Sequence, residues 1–409
     1  MPLLFALSLS KNKITGTIPF TLCTLRYTEI LDFSWNHLTG ELPHCWSNDS
    51  QIHVLDFSNN NISGGIPNSV CSLDGLKSLH LSNNNLSGVF PTSLRNCKHL
   101  VILDLSHNNF HGSIPDWIGE SLPNLEILKL KSNKFSSYLP PQLSTLTRVH
   151  ILDLSHNNFF GSIPKNFGNF NAMKISKGER SSLFRELAFY VEYVLFVTKG
   201  NEQKFERILP LINFMDLSYN SLSGSIPEEL TDLSGLQYLN LSGNHFTGEI
   251  TSKIGRLHKL ESLDLSRNSI AGAIPSSLDS LDYLGSLNLS YNNLSGKIPY
   301  EKHLATFNDP SIYIGNYNLC GPPLLVNCSK EKLEPTTPAS DGQEKDVWLY
   351  LGIGSGFVTG LWSVFIIMLF KKRWRVAYFR NLDDIYDRIY VLVVVNFTRF
   401  KRKYQKQEN

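Results

Sequence analysis

Charge is scarce in this chain. Only 18% of its 409 residues are Asp, Glu, Lys or Arg, and the formal net charge is +2. The charge is uneven: residues 371–409 hold eleven Lys/Arg and four Asp/Glu, so this tail is +7 and the remainder −5, an asymmetry that suggests two compartments rather than nucleic-acid binding. Catalytic patterns are missing too. There is no glycine-rich phosphate loop, no GxSxG turn and no paired metal-ligand spacing. No enzyme activity and no cofactor are expected. The 12 histidines are scattered, and His107 and His156, at equivalent places, read as solvent-facing residues rather than metal ligands.

What is present is a repeat. Leu79-His80-Leu81-Ser82-Asn83-Asn84-Asn85-Leu86-Ser87-Gly88 recurs almost residue for residue. The equivalent asparagines are Asn12, Asn36, Asn60, Asn84, Asn108, Asn133, Asn157, Asn220, Asn244, Asn268 and Asn292. Their spacing is 24 or 25 residues except for one gap of 63. LxxLxLxxN at that period is the leucine-rich-repeat signature. The leucines alternate around a short strand and point inward. The asparagine amide, both donor and acceptor, can satisfy backbone groups of neighbouring turns. One unit cannot bury its apolar face alone, so stability comes from stacking. The expected fold class is an α/β-type solenoid: a right-handed leucine-rich-repeat superhelix with short parallel strands on its concave face, followed by one C-terminal transmembrane helix.

Seven repeats fill 1–170, the first truncated, and four more fill 209–300. Met1 to Ser10 resembles a secretory segment, but it has no basic start and no convincing cleavage site. Leu4, Leu7 and Leu9 instead match the repeat leucines, so an N-terminally truncated chain without signal peptide or polar cap is expected. Residues 171–208 form an insertion, in which Tyr190 to Gly200 suggests a strand and a turn. Either it carries binding or it patches irregular stacking.

A C-terminal cap with a cysteine pair is expected at 301–328, an acidic juxtamembrane linker at 329–346, a membrane helix at 347–370 and a basic cytoplasmic tail at 371–409. Trp348 to Phe370 is 23 residues without a charge, and Lys371-Lys-Arg-Trp-Arg375 follows at once. That pattern predicts a single-pass plasma-membrane protein with the repeats outside. Gly352, Gly356 and Gly360 form a smooth ridge fit for a partner helix. Tyr386 and Ile389 match a tyrosine-x-x-bulky sorting signal, although that region can equally pack on the inner leaflet.

Outside the membrane, Cys320 and Cys328 are expected to form a disulfide closing the solenoid. Cys23 and Cys45 could also pair, while Cys71 and Cys97 read as buried thiols. Seven N-glycosylation sequons precede the span: Asn48, Asn61, Asn85, Asn240, Asn288, Asn293 and Asn327. The LNLS and NNLSG consensus also creates such sequons as by-products. On the concave face the aspartates of LDLS, Asp32, Asp56, Asp104, Asp153, Asp216 and Asp264, read mainly as scaffold. The departures from consensus are the ligand-surface candidates: Trp35, Lys129, Lys131, His156, Tyr219, Tyr238, Arg267 and Tyr291.

Several stretches resemble those of plant leucine-rich-repeat receptor-like proteins, which lack a kinase. Lys199-Gly200 through Arg207-Ile-Leu209 and then MDLSYNSLSGSIP resemble that family's island-to-repeat junction. Four repeats after the insertion, the NxxLCGxPL cap, the acidic linker, the glycine-ridged span and the short basic tail match as well. Trp374-Arg-Val-Ala-Tyr-Phe379 and Tyr386-Asp-Arg are similar to the ethylene-inducing-xylanase receptor group. The resemblance implies a receptor that binds a microbial or damage-derived protein or peptide ligand in plant defence. It also implies an adaptor receptor-like kinase paired through Gly352, Gly356 and Gly360. A developmental receptor of the same architecture and a hydrolase-inhibitor-like scaffold are the competing readings.

Overall fold

The computed structural model describes residues 4–174, 194–198, 201–205 and 212–328. Trp348 to Phe370, with Gly352, Gly356 and Gly360, and the tail with Tyr386 and Ile389 lie outside the described residues. Among the described residues no helix is long and apolar enough to cross a membrane.

Eleven short strands form one parallel sheet in strict chain order. They are β1 (Ala6–Ser8), β2 (Ile30–Asp32), β3 (Val54–Asp56), β4 (Ser78–His80), β5 (Ile102–Asp104), β6 (Ile127–Lys129), β7 (Ile151–Asp153), β8 (Phe214–Asp216), β9 (Tyr238–Asn240), β10 (Ser262–Asp264) and β11 (Ser286–Asn288). The middle residue of each strand is the repeat leucine or its substitute and enters the core. The two flanking residues face the concave side, as the period of two requires. At about 4.8 Å per strand the sheet is roughly 50 Å long.

The repeat asparagines form a ladder. Asn36 accepts from the Ile14 N–H of the preceding turn at 3.0 Å. Its amide nitrogen donates to the Leu9, Phe33 and Ser34 carbonyls at 2.9–3.2 Å. The same set recurs along the array, and its buried backbone groups are thereby paired rather than orphaned. A twelfth member was not anticipated: Asn316 accepts from Leu294 N–H at 3.0 Å and donates to the Leu289 and Tyr313 carbonyls. The cap thus continues the solenoid, with Tyr313 only 1% exposed where a leucine would stand.

The outer wall is built from 3₁₀ turns that start directly after proline, as at Pro67, Pro91, Pro164 and Pro227. Proline presets the extended entry to each turn. Where Thr251 replaces it, the hydroxyl accepts from Lys253 N–H at 3.2 Å. Leucines from the sheet and isoleucines, phenylalanines and leucines from this wall make one continuous core, each worth about 1.5–3 kcal/mol when fully buried.

The 63-residue gap leaves the register intact. Ile151, Leu152 and Asp153 pair with Phe214, Met215 and Asp216. Of the insertion, Val194–Thr198 and Asn201–Phe205 pair as antiparallel strands, the first within the stretch expected to hold a strand; the expected turn at its end lies outside the described residues. The insertion's expected start at 171 needs moving. Met173 is fully buried, and its carbonyl accepts from Gly235 N–H at 2.9 Å, so Asn171–Lys174 belongs to the solenoid wall.

All six cysteines are disulfide-bonded: Cys23–Cys45, Cys71–Cys97 and Cys320–Cys328. The first and third pairs meet expectation. Cys71 and Cys97 are buried but are not thiols. Cys71 lies within one 3₁₀ turn and Cys97 directly follows the next, and their Cα atoms are 4.9 Å apart.

Candidate functional site

Each turn offers the same places to the concave face: the two outward residues of its strand, and then a rim residue just before the ladder asparagine. The first outward place is apolar at Ile30, Val54, Ile102, Ile127, Ile151 and Phe214, and these residues pack as a second, buried hydrophobic cluster. The character changes at the C-terminal end. Tyr238, Ser262 and Ser286 occupy that place in β9 to β11, and all three are partly exposed. They help line an open hollow of about 560 Å³, together with Asp264, Asn288, Tyr291 and the cap residues Asp309 and Ile314.

The second outward place is the aspartate column. Asp32, Asp56, Asp104, Asp153, Asp216 and Asp264 each accept from the N–H of the serine two residues on, at 2.8–3.1 Å. Strand spacing sets these carboxylates about 4.8 Å apart, so like charges would face one another along the whole sheet. The sequence interrupts them. His80 stands between Asp56 and Asp104, and Lys129 between Asp104 and Asp153. Lys129 Nζ lies 3.2 Å from Asp104 Oδ2 and the residue is only 6% exposed. Lys129 is therefore corrected from an exposed ligand contact to a buried charge partner. Burial raises the Asp104 carboxyl, but Lys129, His80 and the Ser106 hydrogen bonds together outweigh that, and its pKa is lowered. Asp153 and Asp216 have no such spacer between them. Burial first, and Asp153 second, push Asp216 up to about 7.

The rim place gathers most of the sequence candidates and explains something the sequence concealed. Trp35, His156, Tyr219, Arg267 and Tyr291 all have φ between +51° and +56°. Left-handed backbone costs a non-glycine residue about 1 kcal/mol, and here the stacked hydrogen-bond ladder imposes it turn after turn. Gly243 takes the same place at +63° without that cost. The five candidates are exposed, and four of them form two pairs. His156 and Tyr219 stack with ring centroids 4.5 Å apart and planes 9° apart. Arg267 lies over the Tyr291 ring at 5.1 Å. Trp35 stands far from both, beside Asn59 and Asn83 at the N-terminal end.

Tyr238 is half-buried at the hollow's edge, and its hydroxyl donates to Glu261 Oε2 at 2.9 Å. Gln237 Nε2 donates to the other oxygen of the same carboxylate at 2.8 Å. Burial and Glu261 both raise the Tyr238 pKa, so the phenol stays protonated. Lys131 is half-buried and lowers the pKa of His107 and His156, in each case after burial. Sequence reasoning missed Ser262, Ser286, Asp309 and Ile314. The switch from apolar residues to serine at one strand place was the signal available for the first two. Among the described residues no group of His, Cys, Asp and Glu could hold a metal ion. The arrangement offers shape, aromatic faces and hydrogen-bonding groups, which is the equipment of a binding surface.

Two leucine-rich-repeat family models match, one over residues 50–110 and 74–120, the other over seven segments between residues 4 and 301. Together they cover more than half of the chain. Receptor-like protein EIX2 of Solanum lycopersicum is 45% identical over 251 residues, which is 58% of this chain and 24% of that protein. Receptor-like protein 1 of Arabidopsis thaliana is 49% identical over 219 residues, 51% of this chain and 20% of that one. The chain thus spans about a quarter or less of the curated relatives it matches. Among solved structures, the Arabidopsis receptor kinase HAESA in complex with the peptide hormone IDA and the co-receptor SERK1 aligns with a TM-score of 0.57 at 35% identity. That alignment covers 77% of this chain and 50% of the receptor. The chain therefore belongs to the leucine-rich-repeat family and is similar, within it, to the plant receptor-like proteins.

Proposed function

We propose that the chain is a cell-surface receptor-like protein that binds an extracellular protein or peptide ligand over β9 to β11 and the adjoining rim. The observation that carries this reading is the change along the groove. Apolar residues give way to Tyr238, Ser262 and Ser286 where an open hollow of about 560 Å³ meets the Arg267–Tyr291 pair. Exposed aromatic and arginine side chains beside hydroxyls suit recognition of a polypeptide. In this reading Trp348 to Phe370 anchors the protein in the plasma membrane, and the ridge of Gly352, Gly356 and Gly360 meets the helix of an adaptor receptor kinase. The ligand is a microbial or damage-derived elicitor, and the output is plant defence.

The test uses the full chain in plant membranes. Labelled xylanase elicitor and a panel of labelled apoplastic peptides serve as probes. Retention of a probe by wild type, and its loss on Ser262→Trp with Ser286→Trp, supports the groove. Retention that the two tryptophans leave unchanged overturns it. Recovery of receptor kinase with wild type, and its loss when Gly352, Gly356 and Gly360 become leucine, supports the helix ridge. Equal recovery removes it.

A further inference from the structure

The seven sequons fall into two structural groups. Asn48, Asn61, Asn85, Asn293 and Asn327 are exposed. Asn61, Asn85 and Asn293 each open a short parallel strand directly after the ladder asparagine, the first two in a six-stranded sheet and the third in a three-stranded one, and none of the three lines the hollow at β9 to β11. Asn85 accepts from Asn109 through Oδ1 at 2.9 Å, which leaves Nδ2, the atom an N-glycan takes, outside that bond. Asn48 lies in a turn, and Asn327 beside the Cys320–Cys328 bridge.

Asn240 and Asn288 are different. They stand in the aspartate column at the ends of β9 and β11. Asn240 Oδ1 accepts from both the N–H and the hydroxyl of Ser242, at 3.1 and 2.7 Å. Its Nδ2 donates to Asp216 Oδ2 at 3.2 Å. Asn288 repeats this arrangement with Ser290 and Asp264. The serine of each sequon is buried, at 4% and 6% exposure. Both amides therefore keep neighbouring carboxylates apart: the column reads Asp216, Asn240, Asp264, Asn288, with each asparagine donating to the aspartate before it. An aspartate in either place would set like charges on adjacent strands.

We infer that glycans occupy Asn48, Asn61, Asn85, Asn293 and Asn327 in the mature protein, and that Asn240 and Asn288 stay bare. Those two sequons are by-products of charge spacing. A sugar on Nδ2 would replace one of the amide protons in the column and force a bulky polar chain into the hollow formed by Tyr238, Ser262 and Ser286. Chains carrying it close the groove poorly and are lost before delivery to the surface. The sugars then stand on residues that do not line the hollow, and the ligand groove over β9 to β11 stays clear. This inference rests on the extracellular reading of the repeats.

Site occupancy tests it. The full tagged chain is recovered from the plasma membrane of plant cells and treated with an amidase that releases plant N-glycans in heavy-oxygen water. Peptide mass spectrometry then reads each sequon. The expected result is heavy aspartate at positions 48, 61, 85, 293 and 327, and unmodified asparagine at 240 and 288. Substantial labelling at 240 or 288, or bare asparagine at 61, 85 and 293 beside labelled neighbours, overturns the partition. Seven bare sites would instead overturn the extracellular reading itself. As a second measurement, Asn240→Gln with Asn288→Gln should leave the glycan-dependent gel shift unchanged, whereas Asn61→Gln with Asn85→Gln should reduce it by two glycans. A reduced shift for the first pair overturns the proposal.

Discussion

His156 and Tyr219 are 63 residues apart in sequence, yet their rings stack at 4.5 Å on adjacent turns of the rim. The 171–208 stretch separates them in the chain. Both side chains are held by a backbone that the ladder forces into the left-handed region. A double-mutant cycle with His156→Ala and Tyr219→Ala should give a coupling of about 0.5–1.5 kcal/mol. Thermal unfolding of the full chain measures it. Coupling near zero would mean that the stack only reflects shared backbone geometry.

His156, together with His107, should also make stability sensitive to mild acid. Burial and Lys131 hold the His156 pKa below its ordinary value, and His107 behaves likewise. A histidine whose folded pKa is depressed resists protonation in the folded state. Its contribution is present above about pH 6.5 and fades as pH falls through the folded value. His156→Phe with His107→Gln should therefore flatten the unfolding midpoint between pH 7 and pH 5. An unchanged slope would remove these two histidines as its source.

Asp216 should act in the opposite sense. Its pKa is raised to about 7, by burial and then by Asp153. A raised carboxyl favours folding while protonated and costs stability as pH climbs from its unfolded value, near 4, through about 7. Asp216→Asn imitates the asparagines already used at positions 240 and 288. It should raise stability at pH 7.5 by about 1–3 kcal/mol and leave it unchanged at pH 4. Lower stability of the variant at pH 7.5 would mean that the carboxylate has a partner stronger than its repulsion.

Ladder asparagines should differ by position. Asn220 accepts from Phe159 N–H and donates to the Leu154, Leu217 and Ser218 carbonyls, all within a buried setting. Asn220→Ala should cost about 2–4 kcal/mol, because it strands buried backbone groups. Asn12 is exposed, and its side chain bonds only to carbonyls of its own turn. Asn12→Ala should cost less than about 1 kcal/mol. Denaturant titration of both variants distinguishes these outcomes.

The Cys71–Cys97 bridge closes a 26-residue separation on the outer wall. Replacing both cysteines with serine should lower stability by about 3 kcal/mol. An unaltered midpoint would place the tie in a part of the array that unfolds early.

The solenoid was legible because the asparagine and leucine places are local and periodic. Asn316 escaped notice because Tyr313 and Gly315 stand where the consensus would put a leucine and a polar residue. Lys129 looked like a groove contact because its meaning lies in Asp104, one full turn away and adjacent only after stacking. The left-handed rim was equally hidden, since tryptophan, tyrosine and arginine give no hint of positive φ. Cys71 and Cys97 occupy different places within their turns, so repeat spacing did not pair them.

The ladder treats the long detour before Asn220 as an ordinary turn. Phe159 and Leu154 bond to Asn220 just as their counterparts bond elsewhere across a single repeat. Lengthening such an excursion adds only slowly to its closure entropy, about 0.6 kcal/mol per doubling. The join between β7 and β8 is therefore a natural grafting point. A guest segment with closely spaced ends can be exchanged there while the host keeps its shape, which would let recognition diversify without renegotiating the scaffold.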